Sequence, residues 1–468
     1  MVENGQFLAW LTAWLAGFGV VLWAQRRSSS GVGLVLAYAL QLWVIHWLAP
    51  SIYALPWYAQ PTPILLSGLQ QSTYAIWGFA IGCGVIMPLV SRRAAGDDET
   101  PGRATLADPW LMGWCLAIGV AAYIVQPAVR SIPTVGGLVS LTPNLLLVAF
   151  AMESWNGLHG PRRSIWRWIG GSALLPFVTI VTQGFLSYGF AAMLTVFAFV
   201  ASIYRPRWKV VVSGLLVSYL ALSMYVTYMR DRQAIRAVVW AAEAYSRRLQ
   251  AVTDTFVDFE FLNLNNIEHL QRIDDRLNQN NLVGMAVAYL ASRPTEFGRG
   301  ETIWDALLAP IPRALWPDRP IAAGSGDLVT RFTGIRFNEN TSVGIGHVME
   351  WYVNFGALGV FFGSLLFGIG LAAIDRAAAT RVRSGDWSRF VMFYLPALSL
   401  LQVGGSLVEA VSGASGGLVI AFIFHQVRPV RLRHQEAHTL EASPEPLPED
   451  DLALGPAEDL ALGPEHLS

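Results

Sequence analysis

Charge is spread along this chain in a way that few folds allow. No Asp, Glu, Lys or Arg occurs in 28–91, 131–152, 168–204, 210–229, 351–374 or 390–408. Tight basic clusters separate several of these stretches. Between them lies one long polar insert, 229–346, with 13 arginines, 14 acids and no lysine. A hydrocarbon core about 30 Å thick is crossed by about 20 apolar helical residues, so uncharged stretches of this length read as membrane spans. Only 14% of the residues are charged, against roughly 25% in a soluble domain. The run 168–204 would be about 55 Å long as one helix. It is therefore expected to fold as two spans, with Gln183-Gly184 as the turn.

The pattern predicts an all-α polytopic membrane protein with about eleven transmembrane helices (range about 10–13) and one large external loop domain containing amphipathic helices. The expected spans are 7–24, 31–49, 73–90, 108–125, 134–152, 166–182, 186–203, 210–228, 347–374, 390–405 and 412–427. The segment 347–374 is long for one span, so either its first turn sits in the interface or the helix tilts. The division is 1–228 as an N-terminal bundle of about eight spans, 229–346 as the loop domain, 347–433 as about three further spans, and 434–468 as a tail. That tail is acidic, proline-rich and carries DLALGP twice. Such a composition cannot bury a core and is expected to be disordered.

Orientation follows from the short loops. Arg26-Arg27, Arg92-Arg93 with Arg103, Arg162-Arg163 with Arg167, Arg205 to Lys209, Arg376 to Arg389 and Arg428 to Arg433 total 18 basic residues at alternate span ends. The opposite short loops hold only Arg130. The positive-inside rule then places the amino terminus and the insert outside and the tail in the cytoplasm. The first span reads as a retained helix, because its basic pair follows the apolar run instead of preceding it. Cys83 and Cys115 fall inside spans and read as packing residues. The basic residues are dispersed or topological, so nucleic acid is not an expected partner.

Within the insert, AIRAVVWAAEAYSRRLQAV from 234 has the apolar spacing of an amphipathic surface helix. NLVGMAVAYLAS at 281–292 is too short to span, and reads as a re-entrant or interfacial helix that needs shielding by protein or a wet cavity. Prolines 310, 312, 317 and 320 break regular structure and fix a loop carrying Arg313, Trp316 and Arg319. Arginine matches phosphate oxygens with a planar fork of donors. The absence of lysine is partly a composition bias, since the whole chain has one, and structural ion pairs are the plain reading for most of these arginines. Arg230 and Arg232, just beyond a span, and Arg313 and Arg319, in the proline loop, are the expected phosphate contacts. His347 and Glu350 open a span and Glu409 lies at the outer end of the last pair. Acids so close to spans usually face an internal cavity. No Walker loop, zinc-ligand spacing or nucleophile elbow occurs, and Asp97-Asp98 in a short inner loop reads as a solvated pair.

Pro312-Arg313, Trp316-Pro317 and Pro320, the glycine-rich return, and Glu350-Trp351-Tyr352-Val353-Asn354-Phe355-Gly356 resemble the bacterial O-antigen and exopolysaccharide repeat-unit polymerases (Wzy-type). The layout, with one large outer loop before the last few spans, is similar too. The local motif covers about 45 residues and is degenerate. An even number of spans with both ends inside is common in that family, so the odd count here is a departure. The resemblance implies an inner-membrane, metal-independent, GT-C-like glycosyltransferase without cofactors, acting at the periplasmic face. It would take a glycan from undecaprenyl diphosphate and add it to a lipid-linked repeat unit, with a chain-length regulator as a further partner. The motif arginine is Arg313, and Arg319 stands where related sequences often carry a basic residue. Glu350, His347 and Glu409 are the candidate catalytic groups; Trp316, Tyr352 and Asn354 are the expected sugar contacts. A glycan ligase and a lipid-linked glycan flippase are the alternatives.

Overall fold

The computed structural model of the chain describes residues 2–27, 31–94, 105–129, 132, 135–160, 166–204, 207–241, 243–311, 316, 324–337 and 343–426. Among them all regular structure is helical. The chain divides into 1–422 and 423–468. Of the second unit only Ile423–Gln426, which ends the last helix, is described, so the expected disorder of 434–468 lies outside the described residues.

The first long helices follow the charge gaps, except that the helix expected over 73–90 starts ten residues earlier, at Pro63. Helix α1 covers Val2–Arg27. Helix α2 (Leu34–Trp43) continues through a π turn, Val44–Leu48, and a short 3-10 turn, Pro50–Ala54. Thr62 then starts α3 (Pro63–Ile81): its hydroxyl accepts from the Leu65 N–H at 3.1 Å, and Pro63 occupies the first turn, where no N–H partner is needed. A π turn at Gly82–Ile86 leads into α4 (Met87–Ala94).

Next come α5 (Pro109–Val129), α6 (Val135–Leu141), α7 (Leu145–His159), α8 (Trp166–Ala173), α9 (Leu175–Gln183) and α10 (Leu186–Ile203). The turn expected at Gln183-Gly184 is present: α9 stops at Gln183 and Gly184 adopts a left-handed conformation, φ 75°. Helix α11 runs unbroken over Arg207–Trp240. The helix expected from 234 is thus split, its first half prolonging α11 and its second forming α12 (Tyr245–Val257). Both halves carry apolar faces, but only the second starts a new direction.

The insert continues with α13 (Ile267–Leu277), α14 (Asn280–Ser292), α15 (Glu301–Leu308) and α16 (Ser325–Thr333). Val283, Ala286 and Leu290 bury α14 against its neighbours, among them α3. That is the protein shielding a short apolar helix requires. The chain closes with α17 (His347–Arg383), α18 (Trp387–Leu400) and α19 (Leu407–Gln426).

Among the described residues, eight segments are long and apolar enough to cross a membrane: 4–27, 34–54, 63–90, 109–126, 135–159, 186–203, 347–383 and 407–426. The other three expected spans fall on α8–α9, α11 and α18. Helix α18, at 14 residues, is only about 21 Å long. The chain is a helical protein with the makings of a membrane bundle.

Helices α3 and α17 form its centre. Gly78 and Gly82 sit one turn apart on α3 and its π turn, and a Cβ at either would strike the carbonyl of Phe361 or Leu365. This is the small-xxx-small contact by which helices approach closely without a hydrophobic driving force. Helix α17 is not one rod. Gly356 has φ 66° and ψ −156°, conformations open to glycine. The break turns 347–355 back on the remainder, with Trp351 packed onto Gly363. That resolves the excess length of the expected span 347–374, because its first nine residues are a separate segment.

Candidate functional site

The long helix α11 brings the insert's first arginines into place. Val226 on α11 and Ile273 on α13 meet in a buried cluster with Ala49 and Leu262. This docks α13 beside α11 and carries Arg276, in the last turn of α13, toward the α11 arginines. Residues two apart on a helix point to nearly opposite sides, and residues four apart share a face. Arg230 and Arg232 therefore have different surroundings.

Arg230 is saturated. It pairs with Asp231 at 2.9 Å and Glu260 at 2.7 Å, and donates to the carbonyls of Thr255 and Asp258. Glu260 also receives Arg272 at 3.2 Å and His269 Nε2 at 3.2 Å. The hydrogen bond from Arg230 holds the Asp231 carboxyl below its ordinary range. Burial alone would raise Glu260, but Arg230 and Arg272 outweigh it and its carboxyl is also lowered. This network fastens the segment after α12 to α11. The phosphate contact expected at Arg230 is thus corrected to a structural tie, because its donors are already committed to carboxylates and carbonyls.

Arg232 has the opposite surroundings. Among the described residues no carboxylate lies within 4 Å of Arg232, Arg236 or Arg276. Burial, then the like charges of Arg236 and Arg276, lower the proton affinity of Arg232. A guanidinium stays charged through such a shift, so positive charge accumulates here. Arg236 is almost buried. Its Nε donates to the Gly184 carbonyl at 3.2 Å and its guanidinium lies 4.3 Å from the centre of the Phe185 ring. The Tyr228 hydroxyl donates to the same carbonyl at 2.7 Å. The α9–α10 turn therefore positions Arg236, and Arg236 in turn helps fix that turn. Arg236 and Arg276 were not singled out by the sequence reading. The four-residue step from Arg232 could have flagged Arg236; nothing local flags Arg276.

The other expected residues divide sharply. Tyr188 of α10 lies within electrostatic reach of both Arg236 and Glu409. Glu409 is exposed and caps α19. Its Oε2 accepts from Ser406 N–H at 3.1 Å, and Ser406 Oγ accepts from Glu409 N–H at 3.2 Å. That reciprocal pair is a capping box. Glu350 is fully buried, and its Oε2 accepts the Leu407 N–H at 2.6 Å. It holds the same helix start from behind. His347 is buried too, with Nδ1 3.0 Å from the Tyr38 hydroxyl and its backbone N–H on Val403. Both candidate catalytic groups thus sit inside the packing, unlike the exposed Glu409.

Asn354 is also corrected. It is buried, its Oδ1 accepts from Gly300 N–H, and its Nδ2 donates to Thr302 Oγ1 and the Glu350 carbonyl, all at 2.8–2.9 Å. Both of its amide N–H donors are committed inside the protein. Tyr352 is half-buried, with its ring 6.0 Å from that of Phe297, and keeps an open side. Trp316 is exposed. Arg313 and Arg319 lie outside the described residues. Among the described residues no group of three or more His, Cys, Asp or Glu side chains is placed to hold a metal ion.

A family model described as a domain of unknown function (DUF8712) matches residues 105–382. The match takes in the insert, the arginine cluster and nearly all of α17, and stops short of Glu409. No curated protein and no solved structure matches the chain.

Proposed function

The chain belongs to the DUF8712 family, and we propose that it is a membrane glycosyltransferase that polymerises undecaprenyl-diphosphate-linked oligosaccharide units at the outer face of the inner membrane. The observation that carries this reading is the grouping of Arg236 and Arg276 around Arg232, none of the three having a carboxylate within 4 Å among the described residues. A diphosphate suits such a cluster, because it supplies the missing negative charge and accepts the planar donor fork of a guanidinium such as that of Arg232.

The reaction balances without an external energy source. The bond from the anomeric carbon to the diphosphate oxygen breaks, and its electron pair leaves with the undecaprenyl diphosphate. A new bond forms from that carbon to an acceptor hydroxyl oxygen. Glu409, the exposed carboxylate of the candidate set, takes the hydroxyl proton. Fixed guanidinium groups stabilise the charge growing on the leaving group, which is worth several kcal/mol of barrier. Arg313 and Arg319 belong to the same reading on the family resemblance.

The test is direct. Purified chain in nanodiscs, given lipid-linked repeat units alone, yields a ladder of longer lipid-linked glycans, with no nucleotide and in the presence of EDTA. A strict requirement for ATP or a divalent ion overturns the mechanism. Transfer only to a different acceptor indicates the ligase.

The reading also includes the eleven-span topology, with the insert outside. Glu268 on α13 and Ser384 after α17 are exposed, and the native Cys83 and Cys115 are buried. In intact cells an impermeant maleimide is expected to label Glu268→Cys and to spare Ser384→Cys until the membrane is opened. Equal labelling of the two refutes the orientation.

A further inference from the structure

A groove of about 520 Å³ opens between the first turns of α1 and the start of α3, a volume typical of small-ligand sites. Gln6 and Trp10 lie four residues apart and share one face of α1. Ser67 and Gln70 share the facing side of α3. Gln70 Nε2 donates to the Tyr74 hydroxyl at 2.8 Å, and the Tyr74 ring stands edge-on to Trp10, 5.8 Å away at 90°. The Gln6 side chain is exposed.

The chemistry of this lining is selective. It contains no Lys, Arg, His, Asp or Glu, so nothing in it neutralises a phosphate. An acyl chain would strip water from the glutamine amides without replacing their hydrogen bonds, which is costly. Amides and hydroxyls beside an indole face suit a ligand with many hydroxyls and an apolar C–H face.

A chain of contacts runs from α1 beside the groove to α13. The Phe7 ring, next to Gln6, lies 6.3 Å from that of Tyr53, and the Tyr53 and Tyr58 hydroxyls donate to Asp274 of α13. Two residues on, the same helix carries Arg276.

We propose that this groove binds an uncharged saccharide. On the polymerase reading, the saccharide is a part of the lipid-linked glycan remote from the reacting bond; the groove's own chemistry is independent of that reading.

The test places the photoreactive residue benzoylphenylalanine at Ala9, which lines the groove, and at Leu8, exposed elsewhere on α1. Cells are irradiated and the purified chain is weighed by mass spectrometry. The expected result is a saccharide-containing adduct at position 9 and none at position 8. Loss of two neutral hydrogen-bonding side chains in Gln6→Leu with Gln70→Leu lowers the adduct yield about tenfold or more, with an unchanged unfolding midpoint. A phospholipid adduct alone, an equal saccharide signal at both positions, or no adduct overturns the site. A saccharide adduct on a chain that fails to elongate lipid-linked units keeps the groove and removes the polymerase reading. Elongation without the adduct does the reverse.

Discussion

Arg232→Ala lowers elongation by about 100-fold or more in the purified assay, the range seen when one preorganised donor to developing charge is removed. Its neighbour two residues away behaves differently. Arg230→Gln lowers folded yield and the unfolding midpoint, because Asp231 and Glu260 lose their partner, while the turnover of the surviving protein stays close to that of the parent. Arg232→Lys keeps the charge and loses the bidentate fork, so its activity falls between the two. The measurement is turnover per folded molecule, with thermal unfolding of each variant alongside. Full turnover in Arg232→Ala removes the cluster from the mechanism. Arg276→Ala is the companion variant: it sits on another helix, and a loss of similar size there requires that the two arginines act on one ligand.

The contrast between Arg230 and Arg232 also marks how far the sequence carries. Most of the long apolar helices were legible because a bilayer demands about 20 uncharged residues and tolerates little else. The Gly184 turn was legible from the length of 168–204, since no single helix fits. Ser406-x-x-Glu409 is a capping signature readable by spacing alone, and reading it separates the structural duty of Glu409 from any chemical one. Partnership was not legible. Arg230 meets Glu260 thirty residues on, and Arg276 reaches the cluster only because Ile273 docks α13 on α11. Burial was not legible either. Glu350 and Asn354 stand in a motif that reads as exposed site residues. The break at Gly356 instead folds that segment inward, where it pins α19 and the 298–302 loop. A glycine within an apolar run was the available signal, and its φ of 66° was not readable from its identity.

Glu409→Gln is expected to abolish elongation, by at least about 100-fold, while leaving the fold intact. The size is that of a lost general base. The fold is spared because glutamine serves at the third helical position of a capping box as glutamate does, so the Ser406 N–H keeps its acceptor. Glu409→Ala removes the base and the cap together, and adds a cost of about 1 kcal/mol from the lost cap. Glu350 gives the mirror image. Glu350→Gln retains an acceptor for the Leu407 N–H and keeps activity. Glu350→Ala leaves that buried N–H unpaired, at about 1–3 kcal/mol, and lowers yield. Turnover and unfolding midpoint measured on all four variants give a two-by-two pattern. If Glu350→Gln is the inactive variant and Glu409→Gln is active, the base is the buried carboxylate, and the site must open by moving the first segment of α17.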